Sequence, residues 1–235
     1  LHGTRSLDIQ EFMGVFPAES FREKLNTAKT VFHKLGENLT KKYGLEGGFS
    51  PNLKTKEVLD LLTKVGKNKR IKIILDAAAS CSSIIKTPQY YLGLIKEYPI
   101  LGIEDPFPQD EWENWQRLNA KCKMQNAKLL IIGDDLTVTN PQRIRLAHQK
   151  KACNALIIKP NQIGTVSETI EAVKLAKSFG WKTIVSHRSG ETMDDFIADL
   201  AVGLGADFIK AGAPFPEERM VKYNRLVKIE KEIHG

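Results

Sequence analysis

No apolar run in this chain approaches the length that crosses a bilayer, and no basic stretch leads into an apolar one. Neither a membrane span nor a secretory leader is expected. Cysteine is scarce: Cys81, Cys122 and Cys153 are odd in number, widely separated and without metal-type pairing. Disulfides are therefore not expected, and buried thiols in a reducing cytoplasm are. Also absent are an internal repeat, a low-complexity tract and a recognisable linker, which points to one domain. Basic residues exceed acidic ones, giving a formal charge of +7, yet they form no compact patch. Lys24, Lys29, Lys34, Lys41 and Lys42 are scattered along one segment, and Lys222, Lys228 and Lys231 along another. No aromatics interleave with them as a stacking platform would, so nucleic acid is not the expected partner. The surplus reads as a solvated surface with a mild attraction for anionic metabolites.

What the sequence does contain is a series of short aliphatic runs, each ending in a charged or titratable residue. Leu129-Leu130-Ile131-Ile132 leads through Gly133 to Asp134 and Asp135. Such runs are typical of parallel strands buried on both faces. Ile71 to Leu75 ends at Asp76, Ile100 to Ile103 at Glu104, Ala155 to Ile158 at Lys159, Thr183 to Ser186 at His187, and Asp207 to Ile209 at Lys210. The steps between these ends are 28, 30, 25, 28 and 23 residues, about one strand-helix-strand repeat each. Strand ends in phase converge if the sheet closes on itself, and an α/β barrel is the expected fold. Carboxylates from Asp76, Glu104 and Asp134 at one rim make an oxygen-rich site suited to a hard cation such as Mg²⁺.

Before the first of these repeats, Leu7 to Met13 alternates as a strand would, with Gln10 and Glu11 towards its end. A long amphipathic helix is predicted from Ser20 to Tyr43, with Ser20 and Glu23 in a capping box. A Gly- and Pro-punctuated loop carrying Glu46 follows, then a helix from Thr55 to Val65. Further helices are predicted at Gln89–Glu97, Asp110–Cys122, Pro141–Lys150, Val166–Phe179, Met193–Gly203 and Glu217–Ile233. Trp112, Trp115 and Trp181 read as packing aromatics, and His33, His148 and His234 as solvated or packing residues. Asp105 and Asp135 are expected to bond backbone or to orient the neighbouring ligands.

Several stretches together resemble the enolase family. They are Gln10-Glu11-Phe12-Met13, Glu46-Gly47-Gly48-Phe49, Asp76-Ala77-Ala78-Ala79-Ser80, Glu104-Asp105-Pro106-Phe107 and Gly133-Asp134-Asp135-Leu136. Further along come Lys159-Pro160-Asn161-Gln162, His187-Arg188-Ser189-Gly190-Glu191, Lys210-Ala211-Gly212 and Glu218-Arg219-Met220. The resemblance implies a TIM-type β/α barrel and Mg²⁺-dependent dehydration of 2-phosphoglycerate to phosphoenolpyruvate, with two Mg²⁺ per site. It implies that Asp76, Glu104 and Asp134 hold metal, that Lys159 is the base and that Glu46 is the acid. It also implies that Lys210 meets the substrate carboxylate and that Arg188 and Ser189 grip the phosphate. His187 would lie nearby, with His2, Gln10 and Glu11 lining the pocket. A cytoplasmic homodimer or higher homo-oligomer is the expected setting.

The chain also departs from the family pattern. Nothing corresponds to the family's N-terminal capping domain, and a first barrel strand is expected before His2. The turn at Leu45–Glu46 and the stretch from Ser83 to Lys86 are short, as if segments were joined across missing loops. Read as continuous, the turn at Glu46 is expected to be too tight to reach a substrate. Two other readings stand beside a working enolase: a relative acting on another carboxylate, and an enolase-like protein with a binding or structural role.

Overall fold

A computed structural model of the chain describes residues 9–82, 86–125 and 128–234. Seven strands form one sheet in sequence order: β1 (Glu11–Val15), β2 (Lys72–Asp76), β3 (Ile100–Glu104), β4 (Leu130–Gly133), β5 (Ala155–Ile158), β6 (Lys182–Ser186) and β7 (Phe208–Lys210). β2 to β7 pair in parallel, each with the next, as the six aliphatic runs predict. The sheet curls so far that the end of β7 meets β1: Lys210 Nζ lies 3.0 Å from Glu11 Oε2. Among the described residues no backbone ladder joins those two strands. An opening of about 770 Å³ lined by Phe12, Leu25, Val31, Ile74 and Phe208, among others, lies beside this seam.

Two expectations for the first third of the chain need correction. The first strand is Glu11–Val15 and not Leu7–Met13, whose opening residues lie outside the described ones, and it runs antiparallel to β2 with Glu11 opposite Asp76. An antiparallel strand presents its beginning, not its end, to the rim where its neighbours finish. Glu11 therefore reaches the site from the start of β1. The first helix, α1 (Phe21–Gly36), stops well short of Tyr43. Ser20 caps it as expected, its Oγ accepting the Glu23 N–H at 3.1 Å, and at its far end Asn38 Nδ2 donates to Lys34 O at 2.8 Å. That side-chain bond draws on a terminal carbonyl as the chain turns away.

The remaining helices match their predicted positions closely, except that the single turn at Pro160–Ile163 has no predicted counterpart. They are α2 (Thr55–Gly66), α3 (Pro88–Glu97), α4 (Trp112–Gln125), α5 (Pro141–Gln149), the single turn α6 (Pro160–Ile163), α7 (Val166–Ser178), α8 (Phe196–Gly203) and α9 (Glu217–His234). α3 and α5 start with the same chemistry, a polar cap (Thr87, Asn140) followed by proline in the first turn.

Alternation along the strands separates two cores. Ile73, Leu75, Ile103, Ile131, Leu156, Ile158 and Val185 face the helices in the larger core, which also takes in Trp115 and Trp181. Ile74, Leu130, Ile132, Ala155, Ile157 and Ile184 fill the inside of the curl, with Met13, Val15 and Phe208. Space there is tight: a Cβ on Gly102 would come within 2.9 Å of Leu130 Cβ. Cys122 and Cys153 are buried as expected, whereas Cys81 is exposed because the loop after β2 leaves the sheet.

Candidate active site

The same alternation aims the site residues. Counting two positions on from an inward-facing side chain gives Asp76 from Ile74, Asp134 from Ile132, Lys159 from Ile157 and Lys210 from Phe208. Two positions before Met13 lies Glu11. Five titratable side chains thus project from the inner face at one mouth of the curl.

At the centre of the first group is Lys210. Its Nζ lies 3.0 Å from Asp76 Oδ2, 3.1 Å from both oxygens of Glu104 and 3.0 Å from Glu11 Oε2. One ammonium thus faces three carboxylates. Loss of water disfavours its charge, but Asp76, Glu104 and Glu11 outweigh that and hold the lysine well above its ordinary value. Burial, reinforced by Asp76, pushes the Glu104 carboxyl well above the carboxylate range. Glu11 is raised to about 7, again by burial first, against the attraction of Lys210. The cluster is short of positive charge, and its donors are all oxygen. That donor set fits a hard divalent cation.

The second group lies alongside. Lys159 Nζ hydrogen-bonds Asp134 Oδ2, and Gln162 Nε2 approaches Asp134 Oδ1 at 3.5 Å. Behind them Asp105 is buried and adopts a left-handed backbone, φ 41°, a region asparagine and aspartate visit more readily than other non-glycine residues. Its Oδ1 accepts the Asp134 N–H at 2.9 Å and its Oδ2 the Asp135 N–H at 2.8 Å. Asp105 fixes the backbone of its neighbours, as expected. Oxygens of Asp105, Asp134 and Asp135 also lie within 4.8 Å of one another, close enough to hold a cation among them. Thr139 steadies Lys159 by accepting its backbone N–H at 2.9 Å while donating to Gln162 Oε1 at 3.1 Å. Val138 and Thr139 both have positive φ, 42° and 56°, a strain of about 1–3 kcal/mol each that the surrounding bonds must hold.

Across the mouth stands Glu46, 3.3 Å from His187 Nε2 and accepting from Ser189 Oγ at 3.2 Å. Burial alone would raise its carboxyl, but His187 and Lys210 prevail and hold it below the usual range. Burial keeps His187 below the ordinary histidine value. The expectation that Glu46 could not reach the site from so tight a turn is not met. Because α1 ends at Gly36, residues 37–43 are free to carry the chain back to the rim. The turn itself is closed by Gly47 N–H donating to Gly44 O at 3.0 Å, with Gly47 at φ 77°.

Of the residues singled out in the sequence, Glu11, Asp76, Glu104 and Lys210 form one cluster, Asp134 and Lys159 a second, and Glu46, His187 and Ser189 a third. Gln10 is tied to the first through its backbone N–H, which donates to Asp76 O at 2.8 Å. Arg188 is exposed, its Nη1 donating to Asn161 Oδ1 at 2.8 Å. His2 lies outside the described residues. Sequence reasoning assigned no role to Arg219 and counted Lys222 among the solvated surface lysines; both are instead buried in α9. Lys222 Nζ meets Glu191 Oε2 at 2.5 Å and the carbonyls of Thr192 and Glu218. A cation early in a helix ordinarily reads as solvated, and only the short motif Glu218-Arg219-Met220 marked the spot.

A family model described as "Enolase, C-terminal TIM barrel domain" matches residues 1–83 and 81–235. The chain belongs to the enolase family. Enolase B of Dictyostelium discoideum is 44% identical over 270 positions, which take in 99% of this chain and 60% of that relative's length. Those positions outnumber the 235 residues present here, so the relative carries stretches without counterpart. The family match itself divides at residues 81–83, between β2 and α3 in sequence. The enolase barrel thus accounts for the parallel strand series, and the chain spans about three-fifths of the relative it matches.

Proposed function

We propose that this chain is the barrel domain of a Mg²⁺-dependent enolase, dehydrating 2-phosphoglycerate to phosphoenolpyruvate. What chiefly supports this is the placement of Lys159 and Lys210 among strand-end carboxylates, with Glu46 across the same mouth. In this reading Asp76, Glu104 and Asp134 hold the tighter of two Mg²⁺ ions. When bound, Mg²⁺ supplies concentrated positive charge beside the substrate carboxylate, where negative charge develops.

Lys159 Nζ takes the proton from the carbon beside that carboxylate. The buried inner face of β5 sets its base, and Thr139 restrains its backbone, so its approach is fixed. A lysine or histidine base combined with Mg²⁺ is the general pattern of this superfamily. Glu46 delivers a proton to the hydroxyl on the next carbon, which leaves as water. Glu46 is held below the usual carboxylate range, so it must first take up a proton from solvent or substrate; His187, with Nε2 3.3 Å away, positions it on the leaving-group side. Lys210 meets the substrate carboxylate. Arg188 presents a planar fork to the phosphate beside the Ser189 hydroxyl, and His187, Gln10, Glu11 and His2 line the pocket. Among the described residues no helix is long and apolar enough to cross a membrane. The reading carries with it a cytoplasmic enzyme of glycolysis and gluconeogenesis acting as a homodimer or higher homo-oligomer.

The test is turnover of 2-phosphoglycerate by the full-length protein with Mg²⁺ and after chelation. Metal-dependent formation of phosphoenolpyruvate is expected. Binding of Mg²⁺ without turnover would favour a non-catalytic role, and turnover of an unphosphorylated hydroxy acid instead would favour a different carboxylate substrate.

A further inference from the structure

The guanidinium of Arg219 is 1% exposed and lies in the first turn of α9, behind the mouth and not in it. It gathers the backbone of both loops on the Glu46 side. Nη1 donates to Arg188 O at 2.8 Å, and Nη2 donates to Ser189 O at 2.7 Å and Leu45 O at 3.3 Å. Nη1 also contacts His187 Nδ1. A guanidinium has donors only and stays protonated. The Nδ1 it touches must therefore offer a lone pair, which leaves the ring's single proton on Nε2. That nitrogen is the one 3.3 Å from Glu46 Oε2.

We infer that Arg219 is a positioning residue that holds His187 as the neutral Nε2–H tautomer facing Glu46, and locks the Leu45 and Arg188–Ser189 loops in one register. This rests on the reading that His187 and Glu46 serve the dehydration.

Three other observations agree. The charged groups facing His187 are Glu46, Arg219 and Lys210; burial acts with the two cations against a charged ring, and only Glu46 opposes them. The Glu46 turn is seated on the segment leading into α9: Ala213 N–H donates to Glu46 O at 3.0 Å. A Cβ on Gly212 would come within 2.9 Å of both Glu46 O and Arg219 Cδ, and one on Gly47 within 2.3 Å of Pro216 Cγ. Lysine could not replace the fork, because a single ammonium does not span three carbonyls and a ring nitrogen.

The experiment is ¹⁵N NMR of the full-length protein labelled at histidine, with the His187 signals assigned by difference against His187→Gln. Between pH 6 and 8 the wild type should show Nδ1 unprotonated and Nε2 protonated. Arg219→Met should give a tautomer mixture or a charged ring, and lower kcat by about 10–100-fold. Arg219→Lys, which keeps a cation and a donor, should restore the Nε2–H form more fully than it restores kcat. A wild-type ring protonated on Nδ1 would overturn the inference without any variant. So would Arg219→Met with an unchanged ring and kcat within about twofold of wild type. If the tautomer responds as expected but the wild type does not turn over, the positioning role stands and the enolase reading fails.

Discussion

Lys210 Nζ and Asp76 Oδ2, 134 residues apart in sequence, meet at 3.0 Å. Their contact joins the last strand to the second across the mouth of the curl. With Glu104 and Glu11 also on this ammonium, one lysine faces three carboxylates. Lys210→Met should therefore lose about 3–5 kcal/mol of stability in chelator, the usual result of leaving buried charge uncompensated. Added Mg²⁺ should recover much of the loss by linkage. Urea denaturation with and without Mg²⁺ measures both, and a variant as stable as wild type in chelator would refute the account.

Two carboxylate sets share Asp134, and metal affinity separates them. Asp76→Asn should weaken Mg²⁺ binding by at least about 10–100-fold, while Asp135→Asn should change it far less. The reason is geometric: Asp105 and Asp135 lie on the Asp134 backbone side, whereas Asp76 and Glu104 converge on one ammonium. Calorimetric titration of each variant decides, and the reverse order would move the site to Asp105, Asp134 and Asp135.

Lys159→Ala should abolish exchange of the proton on the second carbon of 2-phosphoglycerate with solvent deuterium, by about 10²–10⁴-fold, while Mg²⁺ still binds. Exchange at a near-normal rate would remove Lys159 from the role of base.

Lys222 and Glu191 give a pH prediction away from the reacting atoms. Burial raises the Glu191 carboxyl, but Lys222 and the Arg188 N–H prevail and lower it from 4.5. A carboxyl lowered in the folded state contributes stability above its unfolded value and loses it as pH falls through the folded value. Wild type should thus be more stable than Glu191→Gln at pH 7, with the gap closing below about pH 4.5. Thermal melts of both proteins across that range provide the measurement. A gap that persists unchanged at pH 3 would mean the contact acts through packing and not through charge.

The six parallel strand ends were legible because strands buried on both faces leave uninterrupted aliphatic runs, and a charged residue at the end of such a run stands out. β1 was harder. Its alternation was visible, but nothing local says whether a strand runs with or against its neighbours, and the placement of Glu11 depends on that. The overextension of α1 has a similar cause, since Asn38 turning back onto Lys34 is one polar residue among several between Gly36 and Gly44. Arg219 was the least legible of all. Apart from the His187 ring, its partners are backbone carbonyls from loops 30 or more residues away, and carbonyls carry no sequence signature.

The closure of the mouth also bears on how the protein acquires activity. Glu46 meets Ser189 across 143 residues, and Arg219 meets Leu45 across 174. Helices form from neighbours in sequence, whereas these pairs must close most of the chain before they exist. In refolding, helical signal should therefore return before any affinity for substrate. A ribosome-bound chain would carry most of its secondary structure while the site stayed open until α9 emerged. In the proposed reading, a competent site would be the last part of the fold to form.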